Sequence, residues 1–132
     1  MRRWPGLLSG ALLGLMPLAA TAEIVSATYA EPTQRYQHGV FGETEEWGAL
    51  AFELSSGQRI ILRLPETRVF EDIAPRLADV DGDGAPEMVV VETDIALGAR
   101  LAIYDEAGFV AATPFIGQTH RWLAPIGAAD LD

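Results

Sequence analysis

Four carboxylates and two glycines lie within nine consecutive residues, in the order Asp-Val-Asp-Gly-Asp-Gly-Ala-Pro-Glu from position 79 to position 87. In a tight loop, carboxylates at positions 1, 3 and 5 converge on one centre, glycine at position 6 permits a sharp turn, and position 7 offers its backbone carbonyl. Four carboxylates this close repel one another strongly unless a cation lies between them. Hard oxygen donors without a nearby His or Cys favour calcium over zinc, copper or magnesium, the alternative being a solvated acidic turn. The sequence therefore predicts a calcium site formed by Asp79, Asp81, Asp83, the carbonyl of Ala85, and Glu87.

The ninth residue of this loop, Glu87, is the one that must close the site. An EF-hand closes with a bidentate Glu at position 12, but position 12 here is Val90, and a strand rather than a helix is predicted after the loop. The nine-residue form resembles the calcium loop of FG-GAP repeats, which occur in the β-propellers of integrin α-subunits and in secreted bacterial proteins with VCBS repeats. An apolar strand, the small residues Gly98 and Ala99, and a second strand are similar to the parts that follow the loop in that family. Glu87 replaces the usual closing Asp, and residues 92–94 replace the usual Gly-Ala-Pro. The second of these departures favours the bacterial VCBS-like branch over the integrins.

The resemblance covers residues 73–132 and implies propeller blades that bind calcium through their loops. A possible internal repeat agrees with it, because Leu-Ala-Asp-Val-Asp at 77–81 returns as Ala-Ala-Asp-Leu-Asp at 128–132, each shortly after an Ala-Pro pair. The spacing of about 50 residues is close to that of a four-stranded blade, although so short a string also recurs by chance. The repeat predicts that the chain is the front part of a longer protein, with a second, truncated loop beginning at Asp130 and Asp132.

Short segments rich in β-branched and aromatic residues, separated by Gly, Pro, Asp and Ser, recur along residues 23–132. Glycine-containing turns at 55–58 and 105–108 suit hairpins, and the continuous apolar run at 88–91 is typical of a strand buried on both faces. The sequence therefore predicts an all-β fold, and the resemblance implies that this fold is the first part of an incomplete FG-GAP/VCBS-like β-propeller. The predicted strands are 24–29, 47–54, 59–64, 88–92, 99–104 and 109–113.

The first 22 residues have the three parts of a secretory signal. Arg2 and Arg3 form a positive start, residues 7–18 are mostly apolar, and Ala20-Thr21-Ala22 supplies a small-x-small cleavage pattern. A membrane anchor is the alternative, but the apolar run is shorter than the ~20 residues that a span needs. The prediction is that residues 1–22 are removed on export, that no membrane span is left, and that residues 23–132 work in the periplasm or outside the cell.

Charge and composition exclude several classes of function. Nine arginines and no lysine stand against nineteen acidic residues, for a net charge of −10, which argues against nucleic acid as a partner because its phosphates are bound by cationic groups. The absence of cysteine excludes disulfides, thiolate zinc sites and a cysteine nucleophile. His38 and His120 are isolated, and no nucleophile–base or acid–base spacing is present, so no catalytic residue is predicted.

The function predicted from these features is that of a secreted or periplasmic bacterial module that binds calcium structurally and presents loops to a protein or glycan ligand. It is not an enzyme on this interpretation. The alternative hypothesis is a scaffold within a secreted enzyme whose catalytic residues lie in a further C-terminal part.

Overall fold

A computed structural model describes residues 22–36 and 46–117, and within these ranges the chain forms eight antiparallel strands and no helix. The all-β prediction is confirmed. The strands are β1 (Ile24–Thr33), β2 (Glu46–Leu54), β3 (Arg59–Arg63), β4 (Arg68–Phe70), β5 (Arg76–Ala78), β6 (Glu87–Asp94), β7 (Gly98–Asp105) and β8 (Gly108–Ala112).

The strands form one open sheet, in the order β1-β2-β4-β6-β7-β8, with β3 also paired to β2 and β5 also paired to β6. Because β1 pairs along the whole of β2, both β3 and β4 must use the other edge of β2. Strand β4 joins the two halves, since Phe70 pairs with Trp47 on one side and with Glu92 on the other. The strands are thus continuous through β4, and separate propeller blades are not confirmed.

Two hairpins follow the turns that the sequence indicates. Between β2 and β3, Gly57 has a positive φ of 94° and its N–H donates to the carbonyl of Leu54 at 2.8 Å. Between β7 and β8, the Asp105 side chain accepts a hydrogen bond from the N–H of Ala107 at 2.8 Å. In both turns a local group satisfies a backbone donor that the ladder leaves unpaired.

One hydrophobic core draws on both halves of the sheet. Its members include Leu50 and Phe52 from β2, Phe70 from β4, and Met88 and Val90 from β6, all at most 1 % exposed. Two aromatic contacts connect the halves: Phe70 stacks on Tyr29 with ring centroids 4.9 Å apart and meets Tyr104 edge-on at 6.3 Å. Full burial of each such side chain stabilises the fold by about 1.5–3 kcal/mol, and the side chains that form this shared core come from both halves.

Strand β6 is buried on both faces, as its apolar run predicts. Val90 and Val91 point to opposite faces, yet they are 0 % and 1 % exposed. The strand is also paired along both edges, with β7 on one side and β4 and β5 on the other.

Candidate metal centre

The acidic loop connects two strands that are neighbours in the sheet. Strand β5 ends at Ala78, strand β6 begins at Glu87, and these two residues pair directly in the ladder. Asp79, which starts the loop, and Glu87, which ends it, therefore lie at the same end of these two paired strands. This closure brings the first and last carboxylates together without any long-range contact.

The carboxylate of Asp79 organises the backbone of the loop. It accepts hydrogen bonds from the N–H groups of Gly82 at 2.8 Å, Asp83 at 3.2 Å and Gly84 at 2.9 Å. The glycines have φ values of 76° and 90°, in the left-handed region that side chains with a Cβ disfavour. A Cβ built on either glycine meets nothing within 4 Å, so the requirement for glycine there is conformational rather than steric.

The four acidic side chains converge, as the sequence predicts. One oxygen from each of Asp79, Asp81, Asp83 and Glu87 lies within 4.8 Å of the others. Calcium–oxygen distances are about 2.3–2.6 Å, so two oxygens on opposite sides of one ion are about 4.6–5.2 Å apart. One oxygen of each carboxylate is therefore close enough to the others for the four residues to share a single metal ion.

Exposure varies across the cluster in a way that suits an ion held at the surface. Asp79 and Asp81 are exposed, Asp83 is half-buried, and Glu87 is only 3 % exposed at the start of β6. Glu87 accepts a hydrogen bond from the N–H of Val80 at 2.7 Å, which fixes its carboxylate beneath the loop.

Burial raises the pKa of Glu87, the hydrogen bond from Val80 opposes that rise, and repulsion by Asp81 and Asp83 adds to it. These are the electrostatic conditions that a bound cation would reverse, because its charge favours the ionised form of every carboxylate around it.

The fifth predicted ligand, Ala85, lies in the loop, where its N–H donates to the Asp83 carboxylate at 2.9 Å. Several other predictions fall outside the described residues. They are the second loop at Asp130 and Asp132, the isolated His38 and His120, and the signal segment up to residue 21.

A second charged cluster, centred on one buried carboxylate at the far end of β6, was not predicted from the sequence. Glu92 is 0 % exposed, and its Oε2 pairs with Arg68 at 3.1 Å and with Arg100 at 2.8 Å. Its Oε1 accepts a hydrogen bond from the Tyr104 hydroxyl at 2.5 Å. Burial, together with this bond to a carboxylate, raises the pKa of Tyr104 and keeps the hydroxyl protonated as a donor. We call these four residues the arginine–glutamate cluster.

A signal for this cluster was present in the sequence. Met88 and Val90 face the core, and two-residue alternation along a strand places Glu92 and Asp94 on the same face. A carboxylate on the core face of a buried strand requires a cationic partner. The arginines that meet it come from β4 and β7, and their positions depend on the strand pairing.

Comparisons with models of known protein families, with curated proteins and with solved structures give no match to this chain. The FG-GAP/VCBS resemblance therefore stays a prediction based on the loop and the strands after it.

Within residues 22–36 and 46–117, no helix is long and apolar enough to cross a membrane.

Proposed function

We propose that this chain is a calcium-binding β-module that works outside the cytoplasm, with the ion as a permanent part of the loop between β5 and β6. The observation that carries the proposal is the convergence of four carboxylate oxygens within 4.8 Å on a loop that the sheet closes at both ends. Oxygen donors of this type are the ligands that calcium prefers, and extracellular modules bind it at about 10⁻⁴ to 10⁻³ M. Calcium outside the cytoplasm is plentiful enough to fill such a site.

The role proposed for the ion is architectural. Glu87 belongs to β6 and Asp79 directly follows β5, so an ion bound to both would hold the two strand ends together. It would also remove the repulsion among four carboxylates that the exposed loop otherwise carries. No chemical step is assigned to the ion or to the loop.

The wider assembly is also part of the proposal. We infer that the sheet belongs to an FG-GAP/VCBS-like propeller in which further repeats pack beside it and the loops contact a protein or glycan ligand. Strand β8 supports this inference, because it is the last strand in the sheet order and Phe109 and Val110 in it are 54 % and 44 % exposed. An apolar edge strand of this kind is normally covered by a neighbour.

Calorimetric titration of the metal-free full chain tests the proposal. Calcium is expected to bind saturably at about 10⁻⁴ to 10⁻³ M, and magnesium more weakly, because it requires a tighter octahedron and releases its water reluctantly. Asp81→Asn should weaken calcium binding at least about tenfold by removing a charged ligand.

Glu106→Gln is the matched control, since it removes one acidic charge from an exposed turn outside the loop. Equal weakening by the two substitutions would mean that calcium responds to net charge alone. Absence of any saturable calcium binding would refute the proposed function.

A further inference from the structure

Strand β5 leads directly into the acidic loop but is held in the sheet by a short ladder. Its three residues pair only with β6 within the described ranges, and the last of these pairs joins Ala78 to Glu87. Asp79 follows at once. How closely the carboxylates of Asp79 and Glu87 approach each other therefore depends on how firmly this short strand keeps its register.

A hydrogen bond to the core fixes the segment just before β5. The Tyr29 hydroxyl donates to the Oδ1 atom of Asp72, which lies in the connection from β4 to β5. Tyr29 is 6 % exposed and its ring stacks on Phe70, so packing in the core determines where the hydroxyl lies. Only residues 73–75 separate Asp72 from the start of β5. A fixed Asp72 therefore limits where β5 begins.

The carboxylate of Asp72 is only partly satisfied. Its second oxygen, Oδ2, is buried and has no hydrogen-bond partner among the described residues. Burial raises the pKa of Asp72, and the hydrogen bond from Tyr29 and the charge of Arg76 oppose that rise. A buried carboxylate oxygen without a donor is unfavourable. The bond between Tyr29 and Asp72 is therefore better explained by the position it imposes on the chain than by the stability it adds.

We propose that Tyr29 and Asp72 are positioning residues for the acidic loop, which hold the start of β5 so that Asp79 stays beside Glu87. This role rests on the proposed function for the ion, but it acts on the loop whether or not an ion is bound. Neither residue belongs to the carboxylate cluster. Without their hydrogen bond the short ladder of β5 should open more often, which separates the carboxylates and weakens the binding of a metal.

Tyr29→Phe removes the hydroxyl and keeps the ring that stacks on Phe70. In calorimetric titration of the metal-free full chain, the Kd for calcium should be about three- to tenfold higher than in the wild type, the effect expected of one hydrogen bond. A second measurement requires no metal. In chelator, amide hydrogen exchange at Val80, whose N–H donates to Glu87 at 2.7 Å, should accelerate by a similar factor.

Tyr104→Phe is the matched control. It also removes a buried hydroxyl that donates to a buried carboxylate, that of Glu92 in the arginine–glutamate cluster, but Glu92 lies outside the connection that leads into β5. It should destabilise the fold and leave both the calcium Kd and the exchange at Val80 within about twofold of the wild type. Asp72→Asn keeps an acceptor for Tyr29 while it removes a charge, and it should also keep the Kd within about twofold.

Two results would each overturn the positioning role. One is a Tyr29→Phe protein that binds calcium as tightly as the wild type. The other is equal weakening by Tyr29→Phe and Tyr104→Phe, which would mean that calcium binding follows overall stability. In both cases the wild type still binds calcium, so the metal centre stands. A wild type that does not bind calcium refutes the proposed function instead; unchanged exchange at Val80 in Tyr29→Phe then overturns the positioning role, and faster exchange supports it.

Discussion

The two ends of β6 show two ways of accommodating carboxylates in one small sheet. At its start, Glu87 meets three aspartates on a loop that is largely exposed, and the partners shown there are backbone N–H groups. At its far end, Glu92 is fully buried and meets Arg68, Arg100 and the Tyr104 hydroxyl.

The difference lies in the source of the compensating charge. The buried carboxylate of Glu92 is neutralised by two arginine side chains of the same chain. These cations are therefore in place whenever the chain is folded. The loop brings four like charges together, and under the proposed function an ion from solution compensates them. One region is thus expected to be insensitive to calcium and the other strongly sensitive.

Removal of the buried carboxylate should have the largest effect. Glu92→Ala leaves two guanidinium groups and a hydroxyl without their acceptor, and breaking a buried ion pair in this way costs about 3–5 kcal/mol. Chemical denaturation should show this loss of unfolding free energy equally with calcium and with chelator. Glu53→Ala, at an exposed position of β2, is the control and should cost less than about 0.5 kcal/mol. A loss from Glu92→Ala that appears only in chelator would remove the distinction between the two regions.

Calcium itself should have the next largest effect. Binding to the folded state alone stabilises it by about 2.7 kcal/mol when free calcium is a hundredfold above Kd. Thermal melts with calcium and with chelator should show that gain in the wild type and in Glu106→Gln. Asp81→Asn should lose most of it. If the melting temperature of the wild type is the same in both conditions, the loop is a solvated turn and not a metal centre.

Substitution of a loop glycine should have a smaller effect. Gly84 has a φ of 90° with open space around it, so Gly84→Ala introduces backbone strain without a clash. The expected loss of unfolding free energy is about 1–2 kcal/mol, and Gly84→Asn should lose less because Asn enters the left-handed region more readily. Denaturant melts of the two variants check this order, and an Ala variant as stable as the wild type would contradict the loop conformation.

The smallest expected effect is a pH dependence with opposite signs at the two ends of β6, measured in chelator. Burial alone would raise the pKa of Asp94, but hydrogen bonds from the N–H groups of Ala96 and Leu97 and the pairing with Arg68 lower it. Because the pKa of Asp94 in the folded state is below the unfolded value of about 3.9, Asp94 stabilises the fold at pH values above 3.9. This stabilisation is lost as the pH falls through the folded-state pKa.

The pKa of Glu87 is raised instead, so its contribution is present below the unfolded value of about 4.3 and is lost as the pH rises through the folded pKa. In Asp94→Asn, the free energy of unfolding should therefore no longer fall as the pH is lowered through the pKa of Asp94. In Glu87→Gln, it should no longer fall as the pH is raised through the pKa of Glu87. Denaturation across pH 3 to 7, roughly the span of these titrations, measures both. Slopes of the same sign for the two variants would contradict the assigned environments.

Local patterns in the sequence predict much of this fold and nearly all of the residues of the candidate metal site. The alternation of residues predicts six of the strands, the turn residues predict two hairpins, and the spacing of the acidic residues predicts that they converge. Each of these features depends only on residues within about ten positions of one another along the chain. The signal segment and the second loop at Asp130 and Asp132 stay predictions.

Tertiary structure alone decided how the strands combine. Strands β4 and β5 have three residues each, too few for alternation to be read, yet β4 joins the two halves into one sheet. The burial of Glu92 depends on Arg68 and Arg100, which lie 24 and 8 positions away and meet it only because β4 and β7 flank β6. Which distant segments pair as strands depends on the packing free energy of the whole core. It therefore cannot be predicted from a short stretch of sequence.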